Sequence, residues 1–457
     1  MTDTTQSLFD AGSQRMSAGD LPGAEEAFRQ LIQTDPDCAE AHTNLALLLE
    51  RRGAMPDEIE LHYLNALNLK PWITETYLNY GAFLHNRKRL EEAEQIYRHA
   101  LVQSPQSPQP WSNLGALYAS MRHEAQAEQC CRMALDIDAS HAGAHLNLAY
   151  VLLRQGRWDE GWQHFEARNW DKGWEVHFPF PHWQGEPLQG KRLIVIADGG
   201  YGDIIQVSRY FAQLKNVGAT CIGLICQPAL APLLAQMEEL DEVLTTTSTS
   251  PAEAWDYWVP ALSLPHYCGT RPDNIPAPLP YLHADPARME RWAQRLAASE
   301  DLRVGLVWKG NPNFENDDQR SLPSLDLLAP LGDIPGVSFI SLQKGRGEDE
   351  AMNPPTGLSL LPLGSEIQDF ADTAALIAQL DLVITVDTAV AHLTGALGKP
   401  CWVLLPEYKT DWRWLTERED TPWYPGVMRP FRQPAMGDWD SMIACVRNEL
   451  ERFAQQP

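Results

Sequence analysis

The strongest constraint on this chain is a repeat. Cut at a period near 34, its first 170 residues fall into register, with Ala24, Ile59, Ala93, Ala127 and Gly161 in one column at spacings of 35, 34, 34 and 34. Gly12, Ala46, Gly81, Gly115 and Ala149 make a second column of small residues, and Phe28, Tyr63, Tyr97 and Phe165 a column of large ones, interrupted by Cys131. Pro36, Pro71 and Pro105 close successive units, with Ala139 where a fourth proline would stand. The extra residue falls in the second unit, between Gly53 and Pro56, where a turn absorbs it. Units of this length cannot bury an apolar face alone, so each must stack on its neighbours in an array.

These columns resemble the tetratricopeptide repeat, whose paired helices approach across the small residues while the aromatic fills the gap between them. The resemblance implies an α-solenoid over residues 1–170. One column goes beyond packing: Asn44, Asn79, Asn113 and Asn147 hold the same place in four successive first helices, two residues before the small one. Two readings stay open. The amides cap or bridge neighbouring repeats, or they form a ladder on the concave face, offering donor and acceptor to an extended peptide backbone. The ladder is similar to that in the superhelix of O-GlcNAc transferases and implies a protein or peptide partner.

Residues 156–190 carry Trp158, Trp162, Trp170, Trp174 and Trp183. Trp158 and Trp162, four apart, share a helix face, and residues 178–181 turn proline-rich. Such a run is expected to seal the repeats against a following domain and dock them rigidly.

From Lys191 the pattern changes. Residues 192–197 (RLIVIA) read as a buried strand, followed by a glycine loop and the helical pattern IIQVSRYFAQL, then strands at 221–226 and 257–260. A second set has strands at 303–308, 337–342, 380–386 and 401–405, and residues 285–301 read as a helix leading to a hinge between the sets. Strand and helix alternate as in parallel doubly wound sheets. The expected organisation is repeats at 1–170, a Trp-rich connector at 171–190, and Rossmann-like halves at 191–300 and 301–457, an arrangement resembling the GT-B glycosyltransferases.

Two motifs sharpen that resemblance. Gly199-Gly200-Tyr201-Gly202-Asp203 follows a strand and opens a helix, and Asp387-Thr388-Ala389-Val390-Ala391-His392, followed by Ala396-Leu397-Gly398-Lys399-Pro400, does the same in the second set. Together they resemble the bacterial heptosyltransferases, with their GxGD loop in the N-terminal half and DTGxxH before AALGxP in the C-terminal half. One departure is Ala389, where that family has glycine; it places a methyl where a donor phosphate or ribose would approach. The resemblance implies an acceptor-side first half, a donor-side second half and inverting transfer. Asp203 would be the catalytic base, Asp387 would hold the ribose or orient the loop, Thr388 would contact a phosphate, and His392 would face the diphosphate.

Transfer from a nucleotide sugar needs a base for the acceptor hydroxyl and positive potential for the departing diphosphate. Asp203 stands at the end of a strand facing the cleft, although an Asp there also caps the helix that follows. The helix after Asp387 offers free N–H groups and a partial positive end. Gly200 and Gly202 join the candidate donor contacts, with Lys309 and Asn311 after the first strand of the second set, Arg320, and the Gln343-Lys344 turn. No metal is expected, and Asp317-Asp318 reads as a surface pair. The stretch Asp411-Trp412-Arg413-Trp414 offers stacking surfaces, for an acceptor channel or for packing of the C-terminal tail.

Composition narrows the partners. With 36 Lys and Arg against 61 Asp and Glu, the net charge of −25 argues against nucleic acid, whose binding relies on cationic side chains releasing counterions. The opening residues MTDTTQSLFDAG have no basic leader or apolar core, no stretch is apolar enough to span a membrane, and the eight Cys show no pairing pattern. A reduced, cytoplasmic protein is expected. The leading expectation is a glycosyltransferase moving a sugar from a nucleotide-sugar co-substrate, with no other cofactor, to a protein hydroxyl recruited by the repeats. The alternatives are heptosyltransferase-like transfer to a saccharide or lipid-linked acceptor, and a repeat scaffold without activity.

Overall fold

The structure is a computed structural model that describes residues 3–170, 172–174, 178–246, 255–276, 279–296, 300–416 and 418–455. It divides into two compact units, Met1–Val151 and Leu152–Pro457.

The first unit is an array of helix pairs: Asp3–Ser17 with Leu21–Thr34, Ala39–Arg51 with Pro56–Leu69, Thr74–Asn86 with Leu90–Gln103, and Pro108–Ser120 with Glu124–Ile137. Helix Ala142–Arg154 follows. The small and large columns meet as the period demands. A Cβ on Gly12 would lie 2.9 Å from the Phe28 ring, one on Gly81 2.4 Å from Tyr97, and one on Gly115 2.5 Å from the Cys131 sulfur. Where the large column shrinks to Cys131, it still faces its glycine. The turns repeat as well: Gly19, Gly53, Lys88 and Arg122 all take left-handed backbone, with φ of 79, 69, 63 and 57°. Glycine adopts that conformation freely, whereas Lys88 and Arg122 bear a cost of about 1–2 kcal/mol each.

The second unit holds two parallel α/β sheets of Rossmann-like type. β1 (Arg192–Ile196), β2 (Cys221–Cys226), β3 (Glu242–Thr245) and β4 (Tyr257–Pro260) form the first, in the order β3-β2-β1-β4. β5 (Leu302–Val307), β6 (Val337–Ser341), β7 (Leu360–Pro362), β8 (Leu382–Val386), β9 (Cys401–Leu405) and β10 (Met428–Arg432) form the second, in the order β10-β9-β8-β5-β6-β7. Helix Trp439–Ala454 lays Trp439, Met442, Ile443, Val446 and Leu450 into the core of this second sheet. In both sheets all pairs are parallel, so the loops leaving the strands gather at one edge of each.

Three expectations are corrected. Helix Trp158–Phe165, grouped by sequence with the repeats, lies in the second unit, because Trp158 stacks on Trp423 at 5.1 Å and Trp162 meets Trp412 edge-on at 5.2 Å. The helical pattern after the glycine loop is two helices, Tyr201–Val207 and Tyr210–Asn216, broken at Ser208 and Arg209. Between the sheets, helix Pro286–Ala293 ends well before residue 301, and residues 297–299 of that expected helix lie outside those described, as do 171 and 175–177 of the connector. Helix Pro286–Ala293 is held to helix Phe370–Ile377 by Arg288, which bonds Asp369 and Asp372 at 2.7 Å each, and by Arg291 on Asp372.

Candidate functional site

The site is built where helix Tyr201–Val207, after β1, packs against helix Ala389–Ala396, after β8. Gly202 lies at this contact. A Cβ there would lie 2.7 Å from His392 Cδ2 and 3.2 Å from Ala389 Cα, so the GxGD glycine is the residue that lets two strand-to-helix turns touch.

Asp203 has its two oxygens committed separately. Oδ2 accepts from the Gly200 N–H at 2.7 Å, capping its helix, and Oδ1 meets the Arg413 guanidinium at 2.5 Å. The cap is therefore real, and the other oxygen reaches across to the far sheet's loop.

Arg413 lies on the short helix Trp412–Trp414, after β9, and is 8% exposed. Its Nε donates to Gln206 Oε1 at 2.7 Å, its Nη1 reaches both Asp411 oxygens at 3.1 Å, and its plane covers Trp412 at 4.4 Å. The Asp411 and Asp203 carboxylates keep it firmly protonated.

Around the second motif, Thr388 caps helix Ala389–Ala396 by accepting from the Val390 N–H at 3.3 Å, and its hydroxyl bonds Thr385 at 3.1 Å. Ala389 is helical and is not among the residues with positive φ, so its backbone does not call for glycine. Loss of water and then the Asp411 carboxylate push Asp387 up to about 6, opposed by Trp414, Arg320 and Arg413. His392 is buried, stacks on Trp414 at 5.5 Å, and places Nδ1 3.0 Å from the Tyr424 hydroxyl. Burial and then Arg413 and Arg209 hold its pKa well below the usual histidine range, so the ring is neutral at pH 7.

The other expected donor contacts divide. Arg320 pairs with Asp317 at 3.2 Å, covers Phe314 at 4.2 Å, and adds positive potential near Asp387. Lys309 turns inward, its ammonium 2.7 Å from Glu350 and donating to the Pro323 carbonyl at 3.1 Å. Gln343 is used entirely by backbone: Oε1 accepts from Trp308 and Lys309 N–H at 2.9 and 3.0 Å, and Nε2 donates to the carbonyls of Lys309 and Arg346 at 3.0 and 2.8 Å. It fastens the β5 and β6 loops together. Lys344 is exposed beside the Gly364 carbonyl at 3.5 Å, and Asn311 is exposed and accepts from Asn313 N–H at 3.0 Å. Asp317 is a buried ion-pair centre for Arg320 and Arg346, not surface; only Asp318 is exposed.

Sequence reasoning missed Arg413, Gln206 and Arg209 as parts of the site. Arg209 is 1% exposed, donates to the Trp423 carbonyl at 2.8 Å and to the Tyr281 hydroxyl at 3.1 Å, and is ringed by Tyr281, Trp423 and Tyr424. The available signal was an arginine between two tryptophans in the loop after β9, at the loop edge of a parallel sheet. Trp412 and Trp414 are core side chains, not a channel wall.

In the first unit, Asn44, Asn79, Asn113 and Asn147 each stand at the sixth position of their helix and are half-buried. Asn147 Nδ2 bridges to the preceding repeat, donating to the Ser112 carbonyl and hydroxyl at 3.2 Å each, and Asn113 accepts from Gln109 at 2.9 Å.

Residues 9–71 and 74–106 match tetratricopeptide-repeat families, and residues 367–404 match glycosyltransferase family 9 (heptosyltransferase). The chain thus carries segments similar to tetratricopeptide repeats and, further on, a short segment similar to glycosyltransferase family 9. That segment contains Asp387, Thr388, Ala389 and His392 and ends before Arg413; Asp203 lies outside it. Protein FlbA of Caulobacter vibrioides is 29% identical over 329 residues, 67% of this chain and 54% of that protein. The chain thus spans about half the length of this relative. Among solved structures, PilF of Pseudomonas aeruginosa is 24% identical with a TM-score of 0.34, over 36% of this chain and 74% of that one. A thermophilic repeat protein of Thermus thermophilus is 21% identical with a TM-score of 0.33, over 38% and 95%. The match over residues 367–404 is to a glycosyltransferase family. Among the described residues no helix is long and apolar enough to cross a membrane.

Proposed function

We propose that the second unit is a GT-B glycosyltransferase that moves a sugar from a nucleotide donor to a hydroxyl of a protein presented by the repeats. What supports this most is one contact: Gly202 seats the Asp203 turn directly on Ala389 and His392, so a candidate base and a helix N-terminus from two different sheets share one place. As the acceptor hydroxyl attacks the anomeric carbon, its proton passes to Asp203, the bond from that carbon to phosphate breaks, and the electron pair leaves with the nucleoside diphosphate. The free N–H groups at the start of helix Ala389–Ala396, Thr388 and the nearby Arg320 receive the developing negative charge, and no step calls for a metal. Attack from the Asp203 side, opposite the leaving group, inverts the anomeric carbon. His392, neutral, carries one ring N–H, and its Nδ1 shares a hydrogen bond with the Tyr424 hydroxyl.

The repeats would hold the acceptor polypeptide through Asn44, Asn79, Asn113 and Asn147. A saccharide acceptor is the second reading, favoured by the heptosyltransferase character of the matching segment. One experiment separates them. Purified protein is incubated with labelled nucleotide sugars and either cell lysate or isolated glycans. Label on protein that disappears with Asp203→Ala and falls with Asn79→Ala plus Asn113→Ala supports the protein acceptor. Label on glycans alone, unaffected by the asparagine changes, supports the saccharide. No transfer to either sinks both.

A further inference from the structure

Arg413 is buried, yet its partners are divided. One guanidinium serves Asp203 from the β1 turn and Asp411 from its own loop, together with Gln206 from helix Tyr201–Val207. Gln206 is 1% exposed, and its amide cannot turn over, because Oε1 must accept from Arg413. Its Nε2 is therefore a buried donor with no acceptor, whereas the Trp414 side chain, one residue beyond Arg413, is engaged with the Asp387 carboxyl. An unmet buried donor is costly, and one set beside a shared guanidinium is chemistry suited to an oxyanion. A nucleoside diphosphate arriving at helix Ala389–Ala396 would bring its negative charges beside Asp203 and Asp411. Carboxylates so placed repel it unless a cation is turned toward it.

Resting on the glycosyltransferase reading above, we propose that Arg413 is a positioning residue that switches between the base and the donor. Without donor it holds Asp203 Oδ1. The arriving diphosphate takes over the guanidinium, with Gln206 Nε2 supplying a second hydrogen bond. Asp203 Oδ1 is then free to accept the acceptor's proton as the new glycosidic bond forms and the diphosphate departs with the electron pair of the broken one. Binding of donor thereby releases the base, and an empty site keeps it tied.

The consequence runs against a merely structural role. If Asp203 competes with the donor for Arg413, removing its charge should tighten donor binding. Calorimetry with the uridine, adenosine, guanosine and cytidine diphosphates is run on wild type, Asp203→Asn, Arg413→Gln and the double variant. The expected result for whichever diphosphate binds is a Kd at least fivefold lower in Asp203→Asn, at least tenfold higher in Arg413→Gln, and no gain from Asp203→Asn once Arg413 is gone. Arg413→Lys, which keeps a charge but cannot span three partners, stands in if Arg413→Gln does not fold, and should shrink the Asp203→Asn gain. Wild-type binding with an unchanged or higher Kd in Asp203→Asn overturns the switch alone. Absence of binding by any of the four to wild type overturns the transferase reading as well.

Discussion

Replacing Gly202 with Ala adds one methyl at the point where the two motif helices touch. Its Cβ would come within 2.7 Å of His392 Cδ2 and 3.2 Å of the Ala389 Cα. His392 cannot swing away cheaply, because it stacks on Trp414 and bonds Tyr424, and Ala389 is backbone. Overpacking of this kind costs about 1–3 kcal/mol. Alanine within a helix recovers up to about 1 kcal/mol of that over glycine. The net loss is about 0–3 kcal/mol, which in a unit this large lowers Tm by at most about 12 °C. Activity should suffer far more. A shift approaching 1 Å between Asp203 and the donor loop costs about 100-fold in kcat/KM. The assay pairs thermal unfolding with transfer kinetics at a temperature where the variant is fully folded. Wild-type kinetics in a folded Gly202→Ala protein would refute the claim that this contact aligns the site.

Other consequences follow from the same packing. In the repeats, Gly81→Ala sets a Cβ 2.4 Å from the Tyr97 ring and should destabilise the array by about 1–3 kcal/mol, read by urea denaturation, whereas the turn substitution Lys88→Gly relieves left-handed strain and should leave stability unchanged or raise it. Desolvation and the neighbouring His42 ring depress His62 to about 4 in the folded array. Because the unfolded ring protonates near the ordinary value of 6.5, the stability it confers is fully present above that pH and is lost as pH falls toward 4; His62→Gln should flatten this limb of the pH–stability curve. Asp387 has the opposite sign: its raised pKa favours the folded state while it is protonated, and the advantage disappears as pH rises through about 6. Asp387→Asn should therefore raise Tm at pH 8, leave it nearly unchanged at pH 4, and weaken donor binding at both.

The repeats were legible because their packing rule is local and periodic, so glycine columns and aromatic columns could be counted without knowing the fold, and even the Cys131 interruption kept its facing glycine. Most strands were legible for the same reason, as short apolar runs. β10 was not: its sequence MRPFR carries a proline and two arginines, tolerable only because the strand lies at the sheet edge and pairs with β9 alone. Of the site, the two glycine and Asp-Thr turns were readable as motifs. Long cationic side chains were harder, because spacing does not say which way they point. Lys309 reads in sequence as a cleft cation but is fixed on Glu350, while Arg413, marked only by its flanking tryptophans, lies between Asp203 and Asp411. The break at Ser208 and Arg209 was equally invisible, since only the tertiary partners Trp423 and Tyr281 give the Arg209 guanidinium a place inside.

On the proposed function, the second unit holds a nucleotide-sugar donor against the turn at Asp387. Thermal unfolding in the presence of uridine, adenosine, guanosine and cytidine diphosphates, each at millimolar concentration, tests it most directly. A ligand at about 100 times its Kd stabilises the folded protein by about 2.7 kcal/mol. In a unit of this size that raises Tm by about 5–10 °C. One base is predicted to give such a shift, and the shift is predicted to vanish in Thr388→Ala plus Asp387→Ala. Four flat curves for the wild-type protein, or a shift that survives loss of both residues, would contradict the account.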